Sequence, residues 1–494
     1  MLKWLGGGKP DHPLGDEKGL KEALAGLTVA DPVACLGELR DWVRSVMETE
    51  GFRPEHRVDV LRQLDDAAQP QLRRLARDYA ANARMPKHQE QRLWGALSGT
   101  SAEFGSAWAA CIAQAAADSG VAGKLKAELP LVLMRGLRAL GAQLKWRYLH
   151  YEQADAAVWR AIGQMARFAE EKKLLQAAVP PGGATPAREL ARILMLAASS
   201  PDSLLPADID LAERVIAHFD GAIAIANAPQ AQVTRHCVDL DAGTPPWRMA
   251  EPPAPKPGLR YFSAAQAEAK LDEYLRIAER GGVPSDLGLG EGIDPARVRT
   301  VLKHLKGCWS ATPQVRQHER YPVKHRITVV NGFSSVLAWV QDAANSEAAP
   351  ESWVTENISA GGIGAVLSSP KSDWLRVGKL VAVQVEGGSG ARTGGVIRRC
   401  WRPRADQMNI GVRTHAKETF PVKVAKMGTD QALLMNDGRA LGAEALLCVP
   451  EGSYSQQVSP VMEFDGRQYL LIPIELVDAG DDFELGRYRV MQQG

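Results

Sequence analysis

Cysteine is sparse and scattered in this chain. Its six cysteines, Cys35, Cys111, Cys237, Cys308, Cys400 and Cys448, contain no C-x-x-C pair. That argues against a zinc cluster and against a small disulfide framework, and it fits a reducing cytoplasm. An excess of either charge is missing too: 59 Lys and Arg face 58 Asp and Glu. No whole-molecule field draws the chain towards nucleic acid or an anionic membrane, so an anion must be held by a local site. Long apolar runs are absent. Stretches such as Leu129 to Leu133 and Ala222 to Ala228 fall well short of the roughly 20 residues a spanning helix needs. Near Met1 the glycines from Gly6 onward cut off any signal-peptide core, so a cytoplasmic location is expected.

Catalytic signatures are lacking as well. No G-x-S-x-G elbow and no H-E-x-x-H helix occurs, and the acidic residues show no paired setting. Gly6 to Lys9 lacks the spacing and the following Ser or Thr of a phosphate loop, and Gly288 to Gly292 is not G-x-G-x-x-G. The expectation is no enzyme, no catalytic residue, no metal and no resident cofactor.

What is present is ordinary globular composition, 45% apolar and 24% charged, over 494 residues, which calls for two to four domains. From about Leu20 to Ala228 apolar residues recur three and four apart, as in Val58, Leu61, Leu64 and Leu72, Leu75, Tyr79. Breaks at Gly51 to Pro54, Met85-Pro86, Pro180 to Gly183 and Ser200 to Pro206 suit antiparallel helices joined by short loops. Residues 1–228 therefore read as an all-α bundle or short solenoid. Thr244-Pro-Pro-Trp247 and Glu251 to Pro257 make 229–260 read as an extended, proline-rich linker. Two connecting helices follow over 261–314, the first opened by a capping box at Ser263 to Gln266, the second by Asp294-Pro295.

Near Val315 the pattern changes to short β-rich runs: Ile327 to Val330, Gly364 to Leu367, Leu380 to Val385, Gly395 to Arg399 and Asn409 to Val412. They predict an antiparallel β-barrel over 315–423. Runs such as Gln468 to Leu476 and Gly486 to Met491 predict a small β extension over 424–494. The whole is multidomain α+β.

Two motifs stand out in the barrel region. Arg316 and Arg320 lie four apart in Val315-Arg-Gln-His-Glu-Arg-Tyr-Pro-Val323, just before the first strand. Asn357, Ser359 and Gly362 stand in Glu356-Asn-Ile-Ser-Ala-Gly-Gly362. Arginine can fork onto a phosphate and stack flat on a base; Asn suits a purine edge; Ser offers a short hydroxyl; Gly admits close backbone approach. Taken alone each motif is weak. Arg73 to Arg77, Arg188 to Arg192 and Arg398 to Arg402 repeat the first spacing, and Asn, Ser and Gly are common turn residues. Together and in this order, with Asn409-Ile-Gly-Val-Arg413 as a closing strand, they resemble the R-x-x-x-R and [DN]-x-S-x-x-G signatures of PilZ domains.

The resemblance implies a receptor for cyclic di-GMP. By it, Arg316 and Arg320 hold phosphates and guanine, Asn357 and Ser359 contact the ligand, and Gly362 shapes the turn. It further implies output to a protein partner through domain rearrangement, in motility, exopolysaccharide synthesis or adhesion; the helical domain is the expected docking element. The alternative is a scaffold whose degenerate PilZ barrel binds no nucleotide. The stretch Val330 to Ser352 is longer than a compact connection and reads as a decorated loop or an inserted helix. Apolar Val315 before the first arginine leaves one ligand or a stacked pair open.

Overall fold

The structure is a computed structural model that describes residues 10–81, 85–290, 292–312, 318–341, 350–368, 374–387 and 390–492. It divides into two compact units. The first holds the residues up to 312 apart from Tyr151–Gln153 and Asp202–Leu205, which group with the second, β-rich unit.

The first unit opens with nine helices among the described residues: α1 (Glu17–Ala25), α2 (Pro32–Glu48), α3 (Pro54–Ala81), α4 (Lys87–Ala117), α5 (Ser119–Lys124), α6 (Leu129–Tyr148), α7 (Ala156–Glu171), α8 (Pro186–Ala198) and α9 (Pro206–Phe219). Their starts are written locally. Asp31 accepts from the Val33 and Ala34 amides ahead of Pro32, and Thr185 accepts from the Arg188 amide ahead of Pro186, which satisfies donors that a helix start leaves open. Their packing depends on small residues. A Cβ on Gly105 of α4 would stand 3.0 Å from Leu140 of α6, and one on Gly136 would stand 2.3 Å from the Met165 methyl of α7. Among the described residues no helix is long and apolar enough to cross a membrane.

The helices end earlier than the periodicity suggested, and the proline-rich stretch is not an extended linker. It contributes to a four-stranded antiparallel sheet of β1 (Ala224–Ala226), β2 (His236–Asp239), β3 (Trp247–Arg248) and β4 (Leu259–Ser263), in the order β1-β4-β2-β3. Cys237, Met249, Leu259 and Tyr261 bury together on it, and Arg260 pairs with Glu170 of α7 at 2.6 Å. Pro245, Pro246 and the prolines from Pro252 to Pro257 sit between strands, where a missing N–H costs no ladder bond. Their density hid two short apolar segments that pair with each other. Ser263 ends β4 instead of capping a helix; α10 (Glu268–Glu279) starts after a 3-10 turn at Ala265–Ala267. The second expected helix, α11 (Pro295–Trp309), starts at Asp294, whose carboxylate accepts from the Ala296 amide. Trp309 packs within this unit, its indole N–H donating to Ser199 Oγ at 3.0 Å.

The second unit is built from two closed six-stranded antiparallel barrels. The first comprises β6 (Arg326–Asn331), β7 (Glu351–Ser359), β8 (Gly362–Ser368), β9 (Leu380–Val385), β10 (Thr393–Arg404) and β11 (Gln407–Thr414), with β5 (Tyr321–Pro322) laid against β7. The second comprises β12 (Glu418–Ala425), β13 (Gln431–Asn436), β14 (Glu444–Pro450), β15 (Val461–Phe464), β16 (Arg467–Ala479) and β17 (Phe483–Gln492). Counting strands one to six along the chain in each barrel, neighbours around the first run β6-β7-β8-β11-β10-β9 and back to β6. Neighbours around the second run β12-β13-β14-β17-β16-β15 and back to β12. Both therefore follow the order one-two-three-six-five-four.

This moves a boundary. Glu418 to Lys423, read from sequence as the end of the first barrel, form the opening strand of the second, and the C-terminal extension is a complete barrel. Alternating apolar residues run on past Val412 with no proline or glycine between Arg413 and Glu418 to mark the division. The long β6–β7 connection carries an inserted helix, α12 (Phe333–Gln341). Its Phe333, Val336, Leu337 and Trp339 bury with Val330, Leu380 and Val396 of the first barrel and Leu433, Met435, Phe483 and Leu485 of the second. The Phe333 amide donates to Asp482 at 2.8 Å.

Candidate functional site

The β7–β8 hairpin closes tightly: Ser359 pairs with Gly362 across the turn Ala360-Gly361, and Ser359 Oγ donates to the Gly362 carbonyl at 3.2 Å. A register shift precedes it. Thr355 pairs with Ala365, but Asn357 pairs with Gly364, so Glu356 is the extra residue of a β-bulge. Without the bulge Asn357 would share the inward parity of Trp353 and Thr355. With it, Asn357 stands opposite outward-facing Gly364, and its amide lies over that glycine. A Cβ on Gly364 would be 2.8 Å from Asn357 Oδ1 and Nδ2.

The neighbouring strand continues this bare surface. Gly364 pairs with Gly411 and Gly362 with Arg413 of β11, and Gly411 stands beside Arg399 of β10. Burial alternates along β8 and β11, with Ile363, Ala365, Ile410 and Val412 inside. The three glycines thus expose backbone on the outer face, a floor on which a flat ligand can rest closely. At its far edge Arg399 is held by Asp202 at 2.5 Å, with its guanidinium 5.0 Å from the Trp401 ring.

Over this floor comes the segment ahead of β6. Tyr321 pairs with Ile358 and Pro322 with Asn357; extending that register sets Arg320 opposite Ser359. Thr355 anchors the segment from inside the barrel. Fully buried, it donates its hydroxyl to the Val323 carbonyl at 2.8 Å and accepts from the His325 amide at 2.9 Å. His318 folds back onto the hairpin turn, since a Cβ on Gly361 would be 2.9 Å from His318 Cδ2. The structure so places Asn357, Ser359 and Gly362 on one hairpin and Arg320 on the segment whose Tyr321 and Pro322 pair with its first strand. Arg316 lies outside the described residues. Arg320 is exposed, and neither it nor Arg413 has a carboxylate partner among the described residues.

Sequence reasoning missed the bulge, the glycine floor and His318. The glycines had a signal, because Gly362, Gly364 and Gly411 occupy the outward parity of strands whose other parity is apolar. The bulge had none, since no residue type marks Glu356 as extra. Of the arginines on β10 and β11 near this face, Arg398 pairs with Asp478 and Arg399 with Asp202, whereas Arg413 has no carboxylate partner among the described residues. Among the described residues no group of three or more His, Cys, Asp or Glu is placed to hold a metal ion.

Residues 18–230 match the family model of the N-terminal domain of the cyclic-di-GMP receptor FimW. The match covers less than half of the chain and lies on the helical unit, where no family resemblance was legible from motifs. No curated protein matches the chain.

Proposed function

We propose that the chain is a cyclic di-GMP receptor whose ligand lies on the outer face of the first barrel, between the Arg320 segment and the floor of Gly362, Gly364 and Gly411. The observation that carries this reading is the bulge at Glu356, which turns Asn357 outward beside that floor. The match of residues 18–230 to a cyclic-di-GMP receptor's N-terminal domain supports the same ligand from a separate part of the chain. In this reading the first barrel is a PilZ domain.

The chemistry follows from the groups present. A cyclic dinucleotide brings two phosphates and two purine faces. Arg320 and Arg316 fork onto phosphate and stack on guanine, each charge-assisted bond contributing about 1.5–3 kcal/mol against the cost of ordering the segment. Asn357 addresses a purine edge with an acceptor and a donor, Ser359 a phosphate oxygen, and the glycine floor lets the ring approach the backbone. Neither hydrolysis nor transfer is required of these groups, so the role is receptor and not enzyme.

Ligand binding orders the Arg320 segment against the barrel and shifts the populations of arrangements that differ in affinity for it. The output is a contact between the helical unit and a cytoplasmic protein partner. Hydrogen exchange tests the placement. Cyclic di-GMP should slow exchange at residues 318–323 and 357–364; protection confined to other regions would count against this face.

A further inference from the structure

The second barrel repeats the strand order of the first, and its own two-three hairpin, β13–β14, also carries a candidate site. There the chain reads Asp437-Gly-Arg439-Ala-Leu-Gly442. The acidic residue, third residue and final glycine keep the spacing of Asn357, Ser359 and Gly362, with arginine in place of serine, although here the run lies on the loop and not in the strands. Arg439, Ala440, Leu441 and Gly442 line a cavity of about 570 Å³ together with Asp465, Arg467, Tyr469 and Val490. That volume falls within the range of small-molecule sites, roughly 300–1,000 Å³.

The walls are organised. Asn436 Nδ2 donates to the Gly438 and Ala440 carbonyls, both at 2.9 Å, and shapes the β13–β14 loop. Opposite it, Phe464 pairs with Arg467 across an Asp465-Gly466 turn with φ of 50° and 73°, the conformation that Asp-Gly hairpins favour. Arg439 bridges the two hairpins through Asp465 at 2.7 Å. Its charge is thereby matched, whereas Arg467 is exposed and has no carboxylate partner among the described residues. Leu441, Tyr469 and Val490, half-buried against the second barrel's core, supply the apolar part of a lining that is otherwise polar.

A small aromatic and aliphatic patch in a polar, half-open hollow with one unmatched guanidinium suits a ligand that joins a flat ring to an anionic group. We propose that this cavity is a second site, distinct from the face on the first barrel, that takes a nucleoside phosphate, with the phosphate on Arg467 and the base against Tyr469, Leu441 and Val490. It stands independently of the ligand assigned to the first barrel, because none of its lining residues belongs to that barrel.

Equilibrium dialysis of the full chain tests it, with GMP, AMP and guanosine as probes. The chain carries Arg320→Ala so that the first face is weakened, alone and combined with Arg467→Ala. Arg467 is exposed beside a turn whose geometry Asp465 and Gly466 set, so its replacement leaves the fold in place, which circular dichroism checks. The expected result is saturable binding of a nucleoside monophosphate to the Arg320→Ala chain, at least tenfold weaker for guanosine and at least tenfold weaker after Arg467→Ala. No saturable binding by folded protein overturns the proposal, and so does monophosphate binding unchanged by Arg467→Ala. Guanosine bound as tightly as GMP overturns it too, by removing the phosphate from recognition.

Discussion

The two barrels wind their six strands in the same order, yet their second hairpins are built differently. In the first, Ser359 and Gly362 close a two-residue turn, the bulge at Glu356 turns Asn357 outward, and outward glycines leave a bare face. In the second, strand pairing ends at Met435 with Leu446, and the longer loop from Asp437 walls a cavity with the β15–β16 turn. A segment bearing Arg320 lies ahead of the first barrel, whereas the second follows β11 after only His415 to Lys417. Strand order sets where a hairpin falls. The residues on it decide whether that place becomes an open face or a walled hollow.

The largest expected effect comes from the first barrel's core. Trp353 is fully buried in the first barrel's core and stacks on Trp374. Trp353→Ala should cost about 3–5 kcal/mol and abolish cyclic di-GMP binding by calorimetry, while the second barrel's amides keep slow exchange. If both barrels loosen together, the core shared through α12 makes them one cooperative unit.

A pH test provides a reference outside the barrels. His236 is 3% exposed on the small sheet of the first unit; burial, with the Arg248 charge beside it, lowers its pKa to about 4. A histidine kept neutral in the fold and charged when unfolded contributes stability that is complete above pH ~6.5 and lost as pH falls towards about 4, at most about 3 kcal/mol. Urea unfolding followed in the first unit should show that loss between pH 6.5 and 4. His236→Gln should flatten it.

Thr355→Val should have a smaller effect. It keeps the volume but leaves the Val323 carbonyl and His325 amide without their hydroxyl partner, at a cost of about 1–3 kcal/mol. It should free the Arg320 segment, seen as faster amide exchange at 321–325. The smallest expected change in stability is from Gly364→Val. Its side chain would stand where the Asn357 amide now lies, so cyclic di-GMP affinity should fall about tenfold, equivalent to about 1.4 kcal/mol, with little change in thermal stability because the position faces outward.

Much of this was legible where the signal is local. Leu380 to Val385 is a strand as its composition predicts, and Asp294-Pro295 opens a helix. What failed depends on partners far along the chain. Closure of the second barrel rests on β12 finding β15 and β14 finding β17, which no periodicity announces. His236 to Asp239 and Leu259 to Ser263 each look too short to matter until they pair. The outward turn of Asn357 comes from one inserted residue, and a period-two pattern cannot say which residue is extra.

Isothermal titration of the folded full chain with cyclic di-GMP, beside Arg320→Ala and Asn357→Ala, decides whether the first barrel holds the nucleotide. Saturable binding by the parent, at least tenfold weaker in each variant, is the expected result. A silent folded parent would leave the first barrel as a scaffold without nucleotide, and binding that neither change disturbs would place the ligand away from Arg320 and Asn357.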